Sequence, residues 1–430
     1  MANSMDGIAA TTQAARDRLT RLFDAGTFVE LDRLMKDGDT AAAVVCGYGL
    51  INDAPVYAFA QDKTVCNGAV GLGHAAKIQK VYQLAAQNGA PIVGLFDSDG
   101  VCIQDGIAAM DAVAQILSAA NDLSGVVPQI AVIAGSCVGS AALIAAAADV
   151  VIAVDGADYY LTADEKACAD VTADGLDEAI DKARALLDYF PANNLAVPVT
   201  YEAAAAASAD AKTAAEAMAL IVDDGSAFTV YDRNDTKTAF ARIQGVACGI
   251  VTLGQDKICK CVAANVARFV RLCDAFSLPI ITVVDAAGFD SVKGAAKLGQ
   301  AYAEATTAKI TLIAGKAYGP VYIALAGKTA GADVVLAWPT ASVSALAPET
   351  AMHLLWTDRL AEMENPETDR KALIEEFRVS ECAADKAAAQ GALTDVTAVA
   401  DTRDAIASYM EMLSGKRVSK LPKKHTNIRL

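Results

Sequence analysis

The sequence predicts an α/β protein in which one layered unit is used twice, and three observations carry that expectation. The first is composition: of 430 residues, 54% are hydrophobic but only 6% aromatic, so small side chains such as Ala and Val supply the apolar content. A chain of this length has room for two or three domains with closely packed interiors. The second is alternation, because short aliphatic runs trade places with amphipathic stretches, as mostly parallel layering requires. The third is repetition. FDAGTFVELD (23–32) returns as DDGSAFTVYD (223–232), and FAQDK (59–63) as LGQDK (253–257). GAPIVGLFD (89–97) returns as SLPIITVVD (277–285), QIAVIAGSCVG (129–139) as KITLIAGKAYG (309–319), and ADVVIAV (148–154) as ADVVLAW (332–338). Five matches in one order mark an internal duplication with a seam near 195–225. The Ala-rich stretch Ala203–Ala219 at that seam reads as a linker helix.

Within the first half the elements follow from local pattern. PVYAFAQD (55–62) alternates as a strand, and HAAKIQKVYQLAAQNGA (74–90) is an amphipathic helix stopped by Gly89 just before Pro91. IVGLFD (92–97) is a buried strand ending on Asp97, followed by the loop SDG and the helix GIAAMDAVAQILSAAND (106–122). The strand QIAVIAG (129–135) leads into the loop SCVGS (136–140), the helix AALIAAAA (141–148) and a closing strand DVVIAV (149–154).

Charge and composition exclude several classes. With 36 Lys+Arg against 52 Asp+Glu, the net charge is −16, and only Lys416, Arg417, Lys420, Lys423 and Lys424 form a basic cluster, so no nucleic-acid partner is expected. The apolar run Ala141–Ala148 stops at Asp149, short of the roughly 20 residues of a membrane span. The start MANSMDGIAA lacks the cationic opening of a signal peptide, and a cytoplasmic location is expected. The ten Cys therefore read as free thiols. Cys259 and Cys261 flank Lys260 without a second pair at metal-ligand spacing, and His74, His353 and His425 lie far apart, so no metal site is expected.

The candidate chemistry lies in loops. Two per half follow buried strands: Asp97–Gly100 and Ser136–Ser140, then Asp285–Asp290 and Lys316–Val321. Strand ends that lead into helices are where α/β folds bind ligands. Gly139 and Ser140 offer backbone N–H groups there, although the glycines also serve simply to allow tight turns. Asp97 and Asp285 read as caps of the loop or helix that follows each of them rather than as acid–base groups. No GxSxG, P-loop, HExxH or GxGxxG after a strand is present, which fits a chemistry needing only pre-arranged backbone donors.

Those segments, with GYGLINDAPVYAFAQDKTV, GLGHAAKI, GAPIVGLFDSDG, NVARFVRLCDAFSLPIITVVDAAGF, AYAEATTAKITLIAGKAYG and the terminal KKHTNIRL, carry a resemblance. Nearly the whole chain resembles the carboxyltransferase component of biotin-dependent acyl-CoA carboxylases and decarboxylases. That family includes propionyl-CoA carboxylase beta subunits and methylmalonyl-CoA decarboxylase alpha subunits. The resemblance implies two tandem crotonase-like domains, over 1–210 and 211–430. It also implies carboxyl transfer between an acyl-CoA of the malonyl, methylmalonyl or propionyl class and biotin on a separate carrier protein. The acyl-CoA oxyanion would be held by the N–H of Gly100 or Val101 with that of Gly139 or Ser140. The biotin side would use Gly288, Phe289, Gly319 and Val321, and His74 and Lys77 would lie near CoA. The implied partners are a biotin carboxyl carrier protein, biotin carboxylase or membrane decarboxylase subunits, and further copies of this chain in a hexamer, a trimer of dimers.

The chain also departs from the family pattern. DSGGARI reads DSDGVCI here, bringing in Asp99 and Cys102, and GPCAGGA reads GSCVGSA, bringing in Ser140. AYGGAY reads AYGPVY, and Pro320 has no N–H to donate. The loop at DSVKGAAKLG is shortened, as is the segment after YYLTADE. Two readings follow: an active carboxyltransferase with altered substrate choice, or a paralogue that keeps the fold and serves a structural or regulatory role.

Overall fold

In the computed structural model, residues 12–38, 40–328, 330–361 and 366–427 are described; the opening MANSMDGIAA lies outside them. Helix α1 (Gln13–Leu22) turns Ala15, Leu19 and Leu22, at helical spacing, onto the first sheet. That sheet includes β1 (Val29–Leu31), β2 (Val44–Ile51), β3 (Ala54–Gln61), β4 (Ile92–Ser98), β5 (Gln129–Val138), β6 (Val150–Val154), β7 (Asp158–Thr162), to which the two residues Glu165–Lys166 pair, and β8 (Val171–Ala173). The lateral order is β1-β2-β3-β4-β5-β6-β8, with β7 beside the end of β5. β1, β2 and β3 pair antiparallel, and every later pairing along that path is parallel.

Crossover helices α2 (Leu72–Asn88), α3 (Ile107–Asp122) and the short α4 (Ser140–Ala145) explain the parallel pairings, since parallel neighbours need a covering connection. Every position of β4 is buried, as its unbroken aliphatic run requires. α2 stops where Gly89 takes φ +60° and donates its N–H to the Ala85 carbonyl. α5 (Leu176–Leu187) buries Ala179, Ile180, Ala183 and Leu186 on the edge of the same unit.

The second unit repeats this plan. α6 (Ala214–Ile221) precedes β9 (Phe228–Arg233), β10 (Thr236–Ile243), β11 (Val246–Leu253) and the short β12 (Lys257–Ile258). Then come α7 (Lys260–Ala275), β13 (Ile280–Ala286), the short β14 (Gly288–Phe289), α8 (Val292–Glu304), β15 (Lys309–Tyr318) and α9 (Pro320–Leu325). β16 (Val334–Ala337), β17 (Ser342–Ser344) and β18 (Asp395–Val396) complete a sheet ordered β9-β10-β11-β13-β15-β16-β18, with β17 beside β15. Antiparallel pairing of β9, β10 and β11 is again followed by parallel pairing. Even a local detail recurs: Asp149 accepts the Gln129 N–H at 2.9 Å, and Asp333 accepts the Lys309 N–H at 2.8 Å. The core here gathers around Trp338, whose indole N–H donates to Thr402 at 2.9 Å.

Two expectations are corrected. The stretch Ala203–Ala219 is helical only from Ala214, where Thr213 caps α6 by accepting the Glu216 N–H. Upstream the backbone is spent on neighbours instead: Tyr201 N–H donates to Gly245, Asp224 N–H to Ala205 and Ser208 N–H to Ala219. Alanine propensity loses to those tertiary bonds, and the chain divides into compact units at Val199/Thr200. The loops expected at Ser136–Ser140 and Lys316–Val321 are mostly strand. β5 runs on through Val138 because Ser136, Cys137 and Val138 pair with Asp158, Tyr159 and Tyr160, and Lys316–Tyr318 pair with β17 likewise.

One turn fixes the head of the first sheet. Cys66, Asn67 and Gly68 all take positive φ (+46°, +54° and +67°), and a Cβ at Gly68 would meet the Asp97 carbonyl and lie 2.9 Å from the Ser98 Cα. Gly68→Ala combines backbone strain with a clash against backbone, so it is expected to cost about 2–4 kcal/mol, measurable as a lower midpoint in urea at unchanged m-value.

Candidate functional site

The first unit's site grows from the end of β4. The buried Asp97 carboxylate accepts the Ser136 N–H at 3.1 Å through Oδ1 and Arg18 at 2.7 Å through Oδ2. Its own N–H donates to Gln61 Oε1 at 3.2 Å, which leaves the Gln61 amide nitrogen to donate to His74 Nε2, also at 3.2 Å. Asp97 thus ties β4 to the second part of β5 and to α1, and does not cap the loop that follows it, where Ser98 Oγ takes the Gly100 N–H instead. Asp99 donates its N–H to the Asn67 carbonyl at 3.1 Å. Its carboxylate takes the Ser136 hydroxyl at 2.6 Å and Lys63 at 2.9 Å, and those two groups, the hydroxyl foremost, hold it below the usual carboxylate range.

The four candidate amides of this unit differ in what they have left to give. Gly100 N–H is used by Ser98 Oγ at 3.1 Å, and Gly139 N–H by the Tyr160 carbonyl at 2.9 Å. Val70 clasps the chain on both sides of Val101, taking the Cys102 N–H at 2.9 Å and giving its own to the Gly100 carbonyl at 2.8 Å. In a trans peptide the N–H points opposite to the C=O it shares a plane with, so the Val101 N–H is aimed away from Val70. Ser140, the first residue of α4, has no helical acceptor for its N–H. Among the described residues no acceptor meets either amide. The two loops adjoin, since a Cβ at Gly100 would lie 3.9 Å from Ser140 Oγ.

The second unit reproduces the frame with one loss. Asp285 accepts the Lys316 N–H at 2.9 Å, as Asp97 accepts that of Ser136. Gly288 N–H is used by the Asp256 carbonyl at 3.1 Å and Gly319 N–H by the Ser344 carbonyl at 3.0 Å. Ile258 pairs with Phe289 and takes the Asp290 N–H at 3.2 Å. Alternate strand residues face opposite edges, so the Phe289 amide points away from β12. α9 packs on β14, which brings Gly319 and Val321 to the same end of the unit as Gly288 and Phe289. Gly139 and Gly319 both take positive φ (+58° and +45°) as helix N-caps, but Ser140 follows the first and Pro320 the second. Val321, the next donor, is wholly buried.

His74 and Lys77 sit on the buried face of α2, 0% and 3% exposed. The Lys77 ammonium donates to the Val44 carbonyl at 2.8 Å, and His74 is one link of the chain to Gln61 and Asp97. Neither presents its polar end to solvent. Among the described residues no three His, Cys, Asp or Glu side chains gather to hold a metal ion, and no helix is long and apolar enough to cross a membrane.

Comparison with known proteins then decides the family. The family model described as "Carboxyl transferase domain" matches residues 8–166 and 163–428. The chain belongs to the carboxyl transferase domain family. It is 33% identical to the methylmalonyl-CoA decarboxylase subunit alpha of Propionigenium modestum, covering 98% of this chain and 94% of that one. It is 33% identical to the methylmalonyl-CoA carboxyltransferase 12S subunit of Propionibacterium freudenreichii subsp. shermanii, covering 96% and 91%. A solved transcarboxylase 12S structure, described as a hexamer assembly with hydrolysed methylmalonyl-coenzyme A bound, superposes with TM-score 0.88 at 31% identity over 97% of this chain and 92% of that one. The family resemblance read from the motifs is therefore borne out.

Sequence reasoning on this carboxyl transferase domain did not find Arg18, Gln61, Lys63 or Val70, which position the loops. Arg18 is 79 residues from Asp97, and no local pattern announces the pair. Burial, aided by the charge of Lys77, lowers the His74 pKa to about 3. The unfolded chain, with an ordinary value near 6.5, takes up a proton first as pH falls, so His74 costs stability as pH drops from about 6.5 towards 3. His74→Gln is expected to lessen the acid loss of unfolding free energy by about 1 kcal/mol per pH unit between pH 6 and 5, read from urea titrations at each pH.

Proposed function

We propose that the chain transfers a carboxyl group between an acyl-CoA of the malonyl, methylmalonyl or propionyl class and biotin borne on a separate carrier protein. The observation that carries this reading is the pair of backbone amides at Val101 and Ser140, on adjoining loops with no internal acceptor. Negative charge that develops on the thioester oxygen as the carboxyl group leaves or arrives would be held by those two N–H groups. Donors fixed before the reaction need no reorganisation when charge appears. Ser98, Tyr160 and Val70 use up the neighbouring amides and hold the segments in which these two are set. On this reading His74 and Lys77 brace the site through Gln61 and Val44 rather than meeting CoA phosphates.

The two units are proposed to be crotonase-like domains, with the acyl-CoA on the first and biotin on the second. Biotin, when bound, supplies the ureido nitrogen that carries the carboxyl group. The second unit fits it in part: Phe289 offers an open amide, while Pro320 removes the one equivalent to Ser140. Hexameric assembly, named for the transcarboxylase 12S structure, and partnership with a biotin carboxyl carrier protein and with biotin carboxylase or membrane decarboxylase subunits belong to the same proposal. Pro320 also favours a second reading, in which a degenerate paralogue keeps the fold and serves a structural or regulatory role.

Decarboxylation of malonyl-CoA and methylmalonyl-CoA with free biotin tests the first reading; no turnover of either supports the second. Ser140→Pro copies into the first unit what Pro320 already does in the second, at a helix position that tolerates proline. It is expected to lower kcat about 10²–10³-fold, whereas Ser140→Ala, which keeps the N–H, loses less than about ten-fold. Pro320→Gly restores a donor and is expected to raise the biotin-dependent rate by about ten-fold or more, in the same assay.

A further inference from the structure

Cys259 and Cys261 have no part in the function proposed above. Cys259 caps the start of α7, Cys261 is the second residue of that helix, and the exposed Lys260 stands between them. Their sulfurs are 2.9 Å apart, which leaves about 0.9 Å to the S–S bond length of about 2.05 Å. Cys261 is exposed and Cys259 half-buried, so a small reagent can reach the pair. By contrast Cys46, Cys137, Cys248, Cys273 and Cys382 are buried.

We propose that Cys259 and Cys261 form a reversible dithiol–disulfide pair that exchanges with low-molecular-weight disulfides of the glutathione type. The two thiols have different parts. Burial opposes ionisation of Cys259, but the Cys261 thiol and the backbone N–H groups of Val262 and Cys261 outweigh it and hold Cys259 below its ordinary value. Cys261, as donor to that sulfur, is pushed the other way. Cys259 is thus the attacking thiolate and Cys261 the resolving thiol.

In the first step the Cys259 thiolate attacks one sulfur of glutathione disulfide; a mixed disulfide forms and one glutathione thiolate leaves. In the second, Cys261 loses its proton to that thiolate or to water, attacks the Cys259 sulfur and expels the second glutathione. The protein dithiol is oxidised by two electrons and one glutathione disulfide is reduced to two thiols. A ring closed across one intervening residue is strained, so the bond belongs to the labile class that reducing conditions reopen. It forms one residue beyond Ile258, the residue that takes the Asp290 N–H and pairs with Phe289.

Trypsin separates the two thiols, because it cuts after Lys257, Lys260 and Arg268. The full chain is equilibrated with reduced and oxidised glutathione over a range of ratios, quenched in acid, alkylated with N-ethylmaleimide and digested without reductant. The expected result is a cross-linked species joining Ile258–Lys260 to Cys261–Arg268, two hydrogens lighter than the free peptides, that rises with oxidised glutathione and separates on reduction. Cys261→Ser should leave a glutathione adduct on Cys259 instead. Recovery of both peptides carrying N-ethylmaleimide at every ratio, or of separate glutathione adducts with no linked species, would overturn the proposal.

Discussion

The head of the first sheet hangs from the Asp97 carboxylate. One oxygen reaches across to the Ser136 amide on the neighbouring strand and the other to Arg18 on α1. A buried carboxylate is tolerable only when its oxygens are matched in this way. The match sets how far β4 stands from the second part of β5, and so how the Val101 and Ser140 loops adjoin. Gly135 is part of the same constraint, since a Cβ there would lie 2.8 Å from Asp97 Oδ1. Asp285, Lys316 and Gly315 repeat the arrangement in the second unit. The duplicated fold thus rests on a duplicated carboxylate.

Much of this was legible in the sequence. The repeated segments stated the duplication, and the aliphatic runs stated which strands are buried. Gly89 stopped its helix as written, whereas the Asp97 carboxylate bonds Ser136 and Arg18 rather than the loop that follows it. The ends of the buried strands were found, but not that β5 and β15 run on through Val138 and Tyr318, nor which amides there are open, because both depend on partners far along the chain. Tyr160 consumes the Gly139 N–H, and Val70 turns Val101 outward; neither is near its target in sequence. The alanines of 203–219 misled for the same reason: intrinsic propensity is a weak preference that a few tertiary hydrogen bonds reverse.

The two units are alike in frame and unlike in the backbone amides they leave open. Each has a glycine at positive φ whose N–H is taken by a neighbouring strand, and each follows it with a short helix. Proline suits the first turn of a helix, where its missing N–H has no helical acceptor. Folding therefore does not distinguish Ser140 from Pro320; only a ligand would. Such positions are where a duplicated fold can lose or change a binding function without any cost in stability.

β5 offers a further consequence. Its first part pairs with β6 at 150–153, and its last part, Ser136 to Val138, with β7 at 158–160. The strand therefore changes partners on the way to the loop. The short link at 155–157 acts as an adjusting screw. Lengthening or shortening it would slide Tyr160 along β5 and tilt the Gly139–Ser140 peptide while leaving every residue of the loop itself unaltered. Divergence in loop geometry among chains of this fold can thus accumulate in a surface turn, remote from the loop that it reshapes.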